Sequence, residues 1–247
     1  MIPRILHHIW VGPVAMPARE QVFVTGWRRL MPDWRVMAWT EATIDFSASA
    51  WLRRAYAMRS WALVADFVRL DVLRRHGGVY LDADVQMLRP LDPLLTGAAF
   101  LGFQAEAASP EWRWGPEWVG NAVIGAEPGH WLPAEALALL QRRMGGEEQL
   151  GAFSGPGVLT AALQAHGLQP GAAMQVRDVR VHPLAAFYSD PAAPAAEAFA
   201  VHHWAASWVA EAQRWPLRKK LWQRAVRHLP GPAFAITRAQ VARAKCG

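Results

Sequence analysis

Cysteine is nearly absent. The 247-residue chain has one, Cys246, so no intrachain disulfide can form, and a reducing compartment is expected. Long apolar runs are absent too: nothing approaches the roughly 18 residues that a membrane-spanning helix needs. The opening MIPRILHHIW also lacks the apolar core of a signal peptide. A cytoplasmic protein is expected, at most peripheral at the inner face of a membrane. Charge is sparse, at 19% of residues against 53% apolar ones, which excludes a disordered chain. The charge that exists leans basic, with a net +6, and favours phosphorylated or anionic lipid partners. Nucleic acid is not expected as a partner, because the basic residues cluster near the C-terminus instead of interleaving with aromatics.

Strands alternate with helices along the chain. RILHHIWVG reads as a buried strand ending at Gly12-Pro13, and residues 17–31 carry apolar positions at helical spacing up to Pro32. WRVMAW alternates as a second strand. SWALVADFVRLDVLRRH is a long helix with basic residues in its last turn, closed by Gly77-Gly78. VYLDADV follows as a third strand, AAFLGF and NAVIGA as short buried ones, and WLPAEALALLQRRM and GPGVLTAALQAHG as helices. AVHHWAASW reads as strand or loop, and PAAPAAEAFA as a surface segment. The expected architecture is α/β, a mainly parallel sheet flanked by helices. A catalytic domain over 1–212 is expected, followed by a basic helical extension over 213–247. Fourteen tryptophans are expected mostly in the core, with several lining a site where flat ligands stack.

The chemistry concentrates in GGVYLDADVQML. In a strand, Asp82 and Asp84 project from one face. Two carboxylates at the end of a sheet strand can hold a divalent cation, Mn²⁺ or Mg²⁺, with a diphosphate supplying further ligands. Ligands of open α/β sheets also bind at that end. An aspartate pair in a solvated turn is the plain alternative. In the preceding helix Asp66 and Arg69 stand three apart, on one face, where they suit sugar hydroxyls and a phosphate or form an ordinary ion pair. His202 either completes a metal shell or is a core histidine. Asn121 either meets sugar hydroxyls or makes a turn. His7 and His8, in an apolar strand, read as structural. Gly155 and Pro156 are expected to shape a loop over the ligand.

IPRILHHIWVGP, followed by RSWALVADFVRLDVLRRHGGVYLDADVQMLRPLDPLL, resembles the DXD-containing sugar-transfer region of glycosyltransferase family 32. NAVIGAEPGH, SGPGVLTAAL and VHHWAASW are similar to later blocks of that family. The resemblance covers most of residues 1–210 and implies a GT-A fold. It also implies transfer of a sugar from a nucleotide-diphosphate sugar, generally with retention, onto a glycan or lipid-linked acceptor in cell-surface polysaccharide or lipopolysaccharide synthesis. By this resemblance Asp82, Asp84 and Arg69 are catalytic, and Asp84 binds the metal with His202 nearby. Trp10 would stack on the base, and Asp66, Arg69, Asp82, Asn121, Trp204, Ser207 and Trp208 would bind the donor. Ala65 stands where serine commonly precedes the aspartate, which removes one peripheral hydroxyl.

Two other readings compete. A haloacid-dehalogenase-like phosphatase also places D-x-D after an apolar strand. It needs a downstream lysine and a second acidic pair, yet Gln86 departs from its pattern, and residues 88–216 contain neither a lysine nor Asp-Asp. A non-catalytic nucleotide-sugar-binding module would not need all of Asp66, Arg69, Asp82 and Asp84. In RWPLRKKLWQRAVRHL, residues 214–229, apolar and basic positions separate at helical spacing. The segment either contacts an anionic membrane or packs on the core.

Overall fold

The computed structural model describes residues 1–104, 118–143, 155–169 and 173–205. The extension over 213–247, with Ser207 and Trp208, lies outside the described residues. The elements run β1 (Ile5–Ile9), α1 (Ala18–Leu30), β2 (Arg35–Trp39), α2 (Ala50–Ala57), α3 (Trp61–His76), β3 (Gly78–Leu81) and β4 (Val85–Met87). Then follow β5 (Ala99–Gly102), β6 (Val123–Ala126), α4 (Trp131–Arg143), α5 (Gly155–Gln164), β7 (Met174–Val176), β8 (Val179–His182) and β9 (Ala200–His202).

A seven-stranded sheet takes the order β2-β1-β3-β6-β5-β8-β7. Five of the seven strands point one way, and β6 and β7 run against them. The sheet is therefore mostly parallel, mixed, and flanked by helices. One face is covered by α3, α4 and α5 through Leu70, Leu73, Ile124, Leu137 and Leu159. The other is covered by α1 and later loops through Leu6, Trp27, Leu81, Phe100 and Phe187. Trp27, Trp34, Trp39 and Trp51 are all buried, so part of the tryptophan content is core, as expected of large rings.

Helix α3 is apolar around most of its circumference because it lies inside the protein, and its buried residues include Leu63, Val64, Phe67, Leu70 and Leu73. Its stop is steric as well as conformational. Gly77 has φ 61° and Gly78 φ 97°, a region that costs a side chain energy. A Cβ on Gly78 would also lie 2.6 Å from the carbonyl oxygen of Ile5. The chain therefore passes tightly from α3 into the fully buried β3 beside β1.

VYLDADV is not one strand. β3 ends at Leu81, and a turn closed by the Val85 amide donating to the Asp82 carbonyl (2.9 Å) redirects the chain. β4 then pairs antiparallel with β9 in a separate two-stranded sheet, Val85 opposite His202. A strand would have aligned the aspartates by alternation; here the turn groups them. Helix α2, capped by the Ser49 hydroxyl at Leu52 (3.3 Å), and the β7–β8 hairpin carried no clear sequence signal. Gly155 and Pro156 open helix α5 instead of forming a loop.

Candidate active site

Strands β1 and β3 run parallel, Leu6 opposite Val79 and His7 opposite Tyr80, so both end at one edge of the sheet. Trp10 and Asp82 follow those ends. The β4–β9 pairing brings the late histidines to the same place: the Asp84 carbonyl accepts from the His203 amide (3.1 Å).

His202 Nε2 lies 3.2 Å from Asp84 Oδ1 and 3.9 Å from Asp82 Oδ2. One ligand atom from each of Asp82, Asp84 and His202 falls within 4.8 Å of the others. Asp84 Oδ2 also accepts from the Ala205 amide (2.7 Å). Burial works against the charge of Asp84, but the contacts from His202 and that amide hold its carboxyl below the usual range. His202 Nδ1 has no hydrogen-bond partner among the described residues.

Arg69 stands between two carboxylates, with Nη2 at 3.4 Å from Asp66 Oδ1 and 3.3 Å from Asp82 Oδ1. Nη1 donates to the Asn121 carbonyl (2.6 Å), and the guanidinium lies 4.5 Å from the centre of the Tyr80 ring. Burial disfavours its charge, but Asp82, Tyr80 and Asp66 raise its pKa above the ordinary arginine value. The hydroxyl of Tyr80 donates to Asp82 Oδ1 (2.6 Å). Burial first, then Asp82, pushes that hydroxyl's pKa well up, so Tyr80 remains a donor. Its role was open to the sequence, since Tyr80 and Asp82 are two apart at the end of a strand and share a face.

Asp66 is buried and fully engaged. Its Oδ1 accepts from Asn121 Nδ2 (2.9 Å) and its Oδ2 from the Gly155 amide (2.9 Å), the first residue of α5. A carboxylate at a helix start is favourable for that helix. Gly155 is required there, because a Cβ would lie 2.2 Å from Asn121 Nδ2. Tyr188, missed in the sequence, accepts from the Ala122 amide at its hydroxyl (3.1 Å). Trp204 has φ 52° and sets its ring 4.3 Å from that of His202. Trp10 is half-buried and donates through Nε1 to the Val14 carbonyl (2.7 Å).

The structure thus brings Asp66, Arg69, Asp82, Asp84, Asn121 and His202 into one cluster with Trp204 beside it. His7 has a different position and a complete set of partners. Its Nε2 lies 2.8 Å from the Gly77 carbonyl, and its Nδ1 accepts from Trp39 Nε1 (3.1 Å).

Charge in the cluster does not balance. Asp66 and Asp82 share one guanidinium, Asp84 has no guanidinium in ion-pair range among the described residues, and Asp82 and Asp84 both lie beside His202. Two carboxylate oxygens and an imidazole nitrogen form a donor set suited to Mn²⁺, and the carboxylates alone to Mg²⁺. The residues fit a divalent cation, which would offset the excess negative charge.

Comparison with known proteins agrees with this geometry. Residues 17–101 match the family model for the glycosyltransferase sugar-binding region containing a DXD motif. The chain is 31% identical over 107 residues to inositol phosphoceramide mannosyltransferase 1 of Schizosaccharomyces pombe, covering 40% of this chain and 33% of that protein. It is 28% identical over 152 residues to mannosyl phosphorylinositol ceramide synthase SUR1 of Saccharomyces cerevisiae, covering 57% and 35%. Among solved structures, the PaToxG glycosyltransferase superposes with a TM-score of 0.52 at 19% identity, over 66% of this chain and 69% of that one. The architecture is that of a GT-A fold. Residues 17–101 are a sugar-binding region of the glycosyltransferase family 32 type. The chain spans about a third of the length of these two curated relatives. Asn121, His202 and Trp204 lie beyond the matched region.

Proposed function

We propose that the protein is a metal-dependent glycosyltransferase. It moves a sugar from a nucleotide-diphosphate sugar to a saccharide or lipid-linked acceptor, with retention, in the synthesis of cell-surface polysaccharide or lipopolysaccharide. The observation that carries the reading is the convergence of Asp82, Asp84 and His202 at the end of β3, beside the buried Arg69. The names of the relatives, an inositol phosphoceramide mannosyltransferase and a mannosyl phosphorylinositol ceramide synthase, support a lipid-linked acceptor. A place at the cytoplasmic face of a membrane is proposed with it.

Asp84 and His202 would hold Mn²⁺ or Mg²⁺, with Asp82 beside them. When bound, the cation supplies positive charge for the departing diphosphate. Arg69 contributes a second fixed positive charge and holds Asp82 toward the donor. Tyr80 restrains the same carboxylate from the other side. Asp66, engaged by Asn121, Gly155 and Arg69, fixes the wall of the donor site, with Asn121 adjoining it. Trp10 and Trp204 are assigned to stacking on the donor. Ser207 and Trp208 keep the donor-binding role that the resemblance implies.

Calorimetry with UDP and GDP, with Mn²⁺ and then with a chelator, tests the reading. Nucleotide binding should require Mn²⁺, and Asp84→Asn should abolish that requirement's benefit while the thermal transition persists. Equal affinity with Mn²⁺ and with chelator in the unaltered protein would overturn the metal role.

A further inference from the structure

Eight consecutive residues between β1 and α1, VGPVAMPA at positions 11–18, carry no charged or polar side chain. Pro13, Val14, Ala15, Pro17 and Ala18 are nevertheless exposed. Among the described residues the exposed large apolar side chains are Met1, Val14 (62%), Val22 (66%), Met58 and Trp204. Val14 lies in this loop, Val22 in the helix that follows it, and Trp204 beside His202. A soluble surface rarely gathers such residues without use.

The loop is fixed in this exposed position. Trp10 Nε1 donates to the Val14 carbonyl (2.7 Å), Gln21 Nε2 to the Met16 carbonyl (2.6 Å), and the Gly12 amide to Glu41 Oε1 (2.6 Å). Its two ends lead toward the DXD site. It starts at Trp10, on the sheet edge that also ends in Asp82. It leads into α1, whose second turn carries Phe23, stacked on His203 at 4.8 Å between ring centres. Along α1, Arg19, Val22 and Arg29 share a face by helical spacing. Nothing lies within 4 Å of a Cβ built on Gly26, on the same face. The one acid in α1, Glu20, is buried and pairs with Arg19 at 2.8 Å, so the net exposed charge of this helix is cationic and comes from Arg28 and Arg29.

An apolar tip fringed by arginines fits the boundary of an anionic lipid bilayer, where apolar side chains enter and cations meet head groups. We propose that the β1–α1 loop and the Val22 face of α1 form a membrane-docking surface that sets the DXD site at the lipid interface. This rests on the proposed transfer to a lipid-linked acceptor and names the surface that presents the enzyme to it.

Partition onto vesicles of phosphatidylcholine with phosphatidylglycerol tests the surface without donor or turnover, so it can fail while Mn²⁺-dependent nucleotide binding stands, and the reverse. The full chain should bind, prefer the anionic vesicles, and release as salt rises. Val14→Asp and Val22→Asp should each weaken partition at least tenfold and leave UDP or GDP binding unchanged. No binding by the unaltered chain, or equal binding by the variants, overturns the proposal; the second result would assign the contact to another segment, such as residues 213–247. A second measurement covers variants that fail to fold. With Cys246→Ser, Val14→Cys is labelled with a polarity-sensitive dye, whose emission should shift to the blue on vesicles. Emission that stays as it is in water also overturns it.

Discussion

Replacing Asp66 by alanine is expected to be among the most damaging single changes near the site, and mainly through the fold. The carboxylate is buried and accepts from the Gly155 amide and from Asn121 Nδ2, with Arg69 Nη2 at 3.4 Å. Alanine leaves one buried donor, the Gly155 amide, and one half-buried donor, Asn121 Nδ2, without this acceptor, at about 1–3 kcal/mol for the buried one and less for the other, and takes one of two carboxylates from a buried guanidinium. Loss of one partner of a buried pair costs ~3–5 kcal/mol. These contributions overlap because they share one side chain, so a total near 4 kcal/mol is expected. That is a large share of the ~5–15 kcal/mol of a typical domain. Asp66→Asn should cost less, since one oxygen is kept and a single donor meets the new NH₂ group. Urea unfolding of the three proteins at pH 7.5 measures both differences. Alanine costing under about 1 kcal/mol would refute the hub, because an orphaned buried amide beside a half-paired buried guanidinium cannot be so cheap. Asparagine costing as much as alanine would show that charge alone matters and that the directed hydrogen bonds do not.

The histidines of β1 should make the protein sensitive to mild acid. Burial, ahead of any other cause, holds His7 and His8 at about 4 instead of 6.5. The unfolded chain therefore takes up protons first as pH falls, and stability is lost between pH 6.5 and 4, by ~3 kcal/mol at most for each residue. Flat urea midpoints across that window would contradict it. Gly78→Ala should destabilise by about 2–4 kcal/mol, because φ is positive and the new Cβ meets the Ile5 carbonyl at 2.6 Å. A thermal midpoint unchanged by this substitution would mean that the α3–β3 passage relaxes freely.

The sequence was most legible where local chemistry and tertiary placement agree. Helix α3 and its double-glycine stop, the buried run of β3, and the strands at NAVIGA and AAFLGF follow from composition and spacing alone. It was least legible where pairing between distant segments decides. VYLDADV has the alternation of one strand, yet β4 leaves the sheet because β9, more than 100 residues later, supplies its partner. No periodicity in either segment records that pairing. Asp66 and Arg69 were legible as neighbours on a helix face, but not as buried, because their partners Asn121 and Gly155 come from other elements. Tyr80 was visible beside the aspartates but unassigned, since a tyrosine in an apolar strand reads first as core. GPGVLTAALQAHG reads as a helix while its first two residues also read as a loop over the ligand; proline suits the first turn of a helix, and the helix reading is the one that holds.

The separation between Asp66 and the Asp82–Asp84 pair carries the functional logic. Two of these carboxylates share one guanidinium and the third has none, and equal burial would make their charges hard to sustain. The fold resolves this by giving them different partners. Asp66 is satisfied by fixed backbone and amide donors and needs nothing further to hold its charge. Asp82 is the most exposed of the three, with a side chain at 23%, restrained by Tyr80 and Arg69. Asp84 faces His202 across 3.2 Å. The remaining negative charge is thereby confined to the edge of the sheet where β1 and β3 both end. Arg69 couples the two halves: it touches Asp66 and Asp82 together, so movement of the satisfied carboxylate would also displace the one at the edge. A substitution at Asp66 should therefore disturb nucleotide binding even in molecules that remain folded.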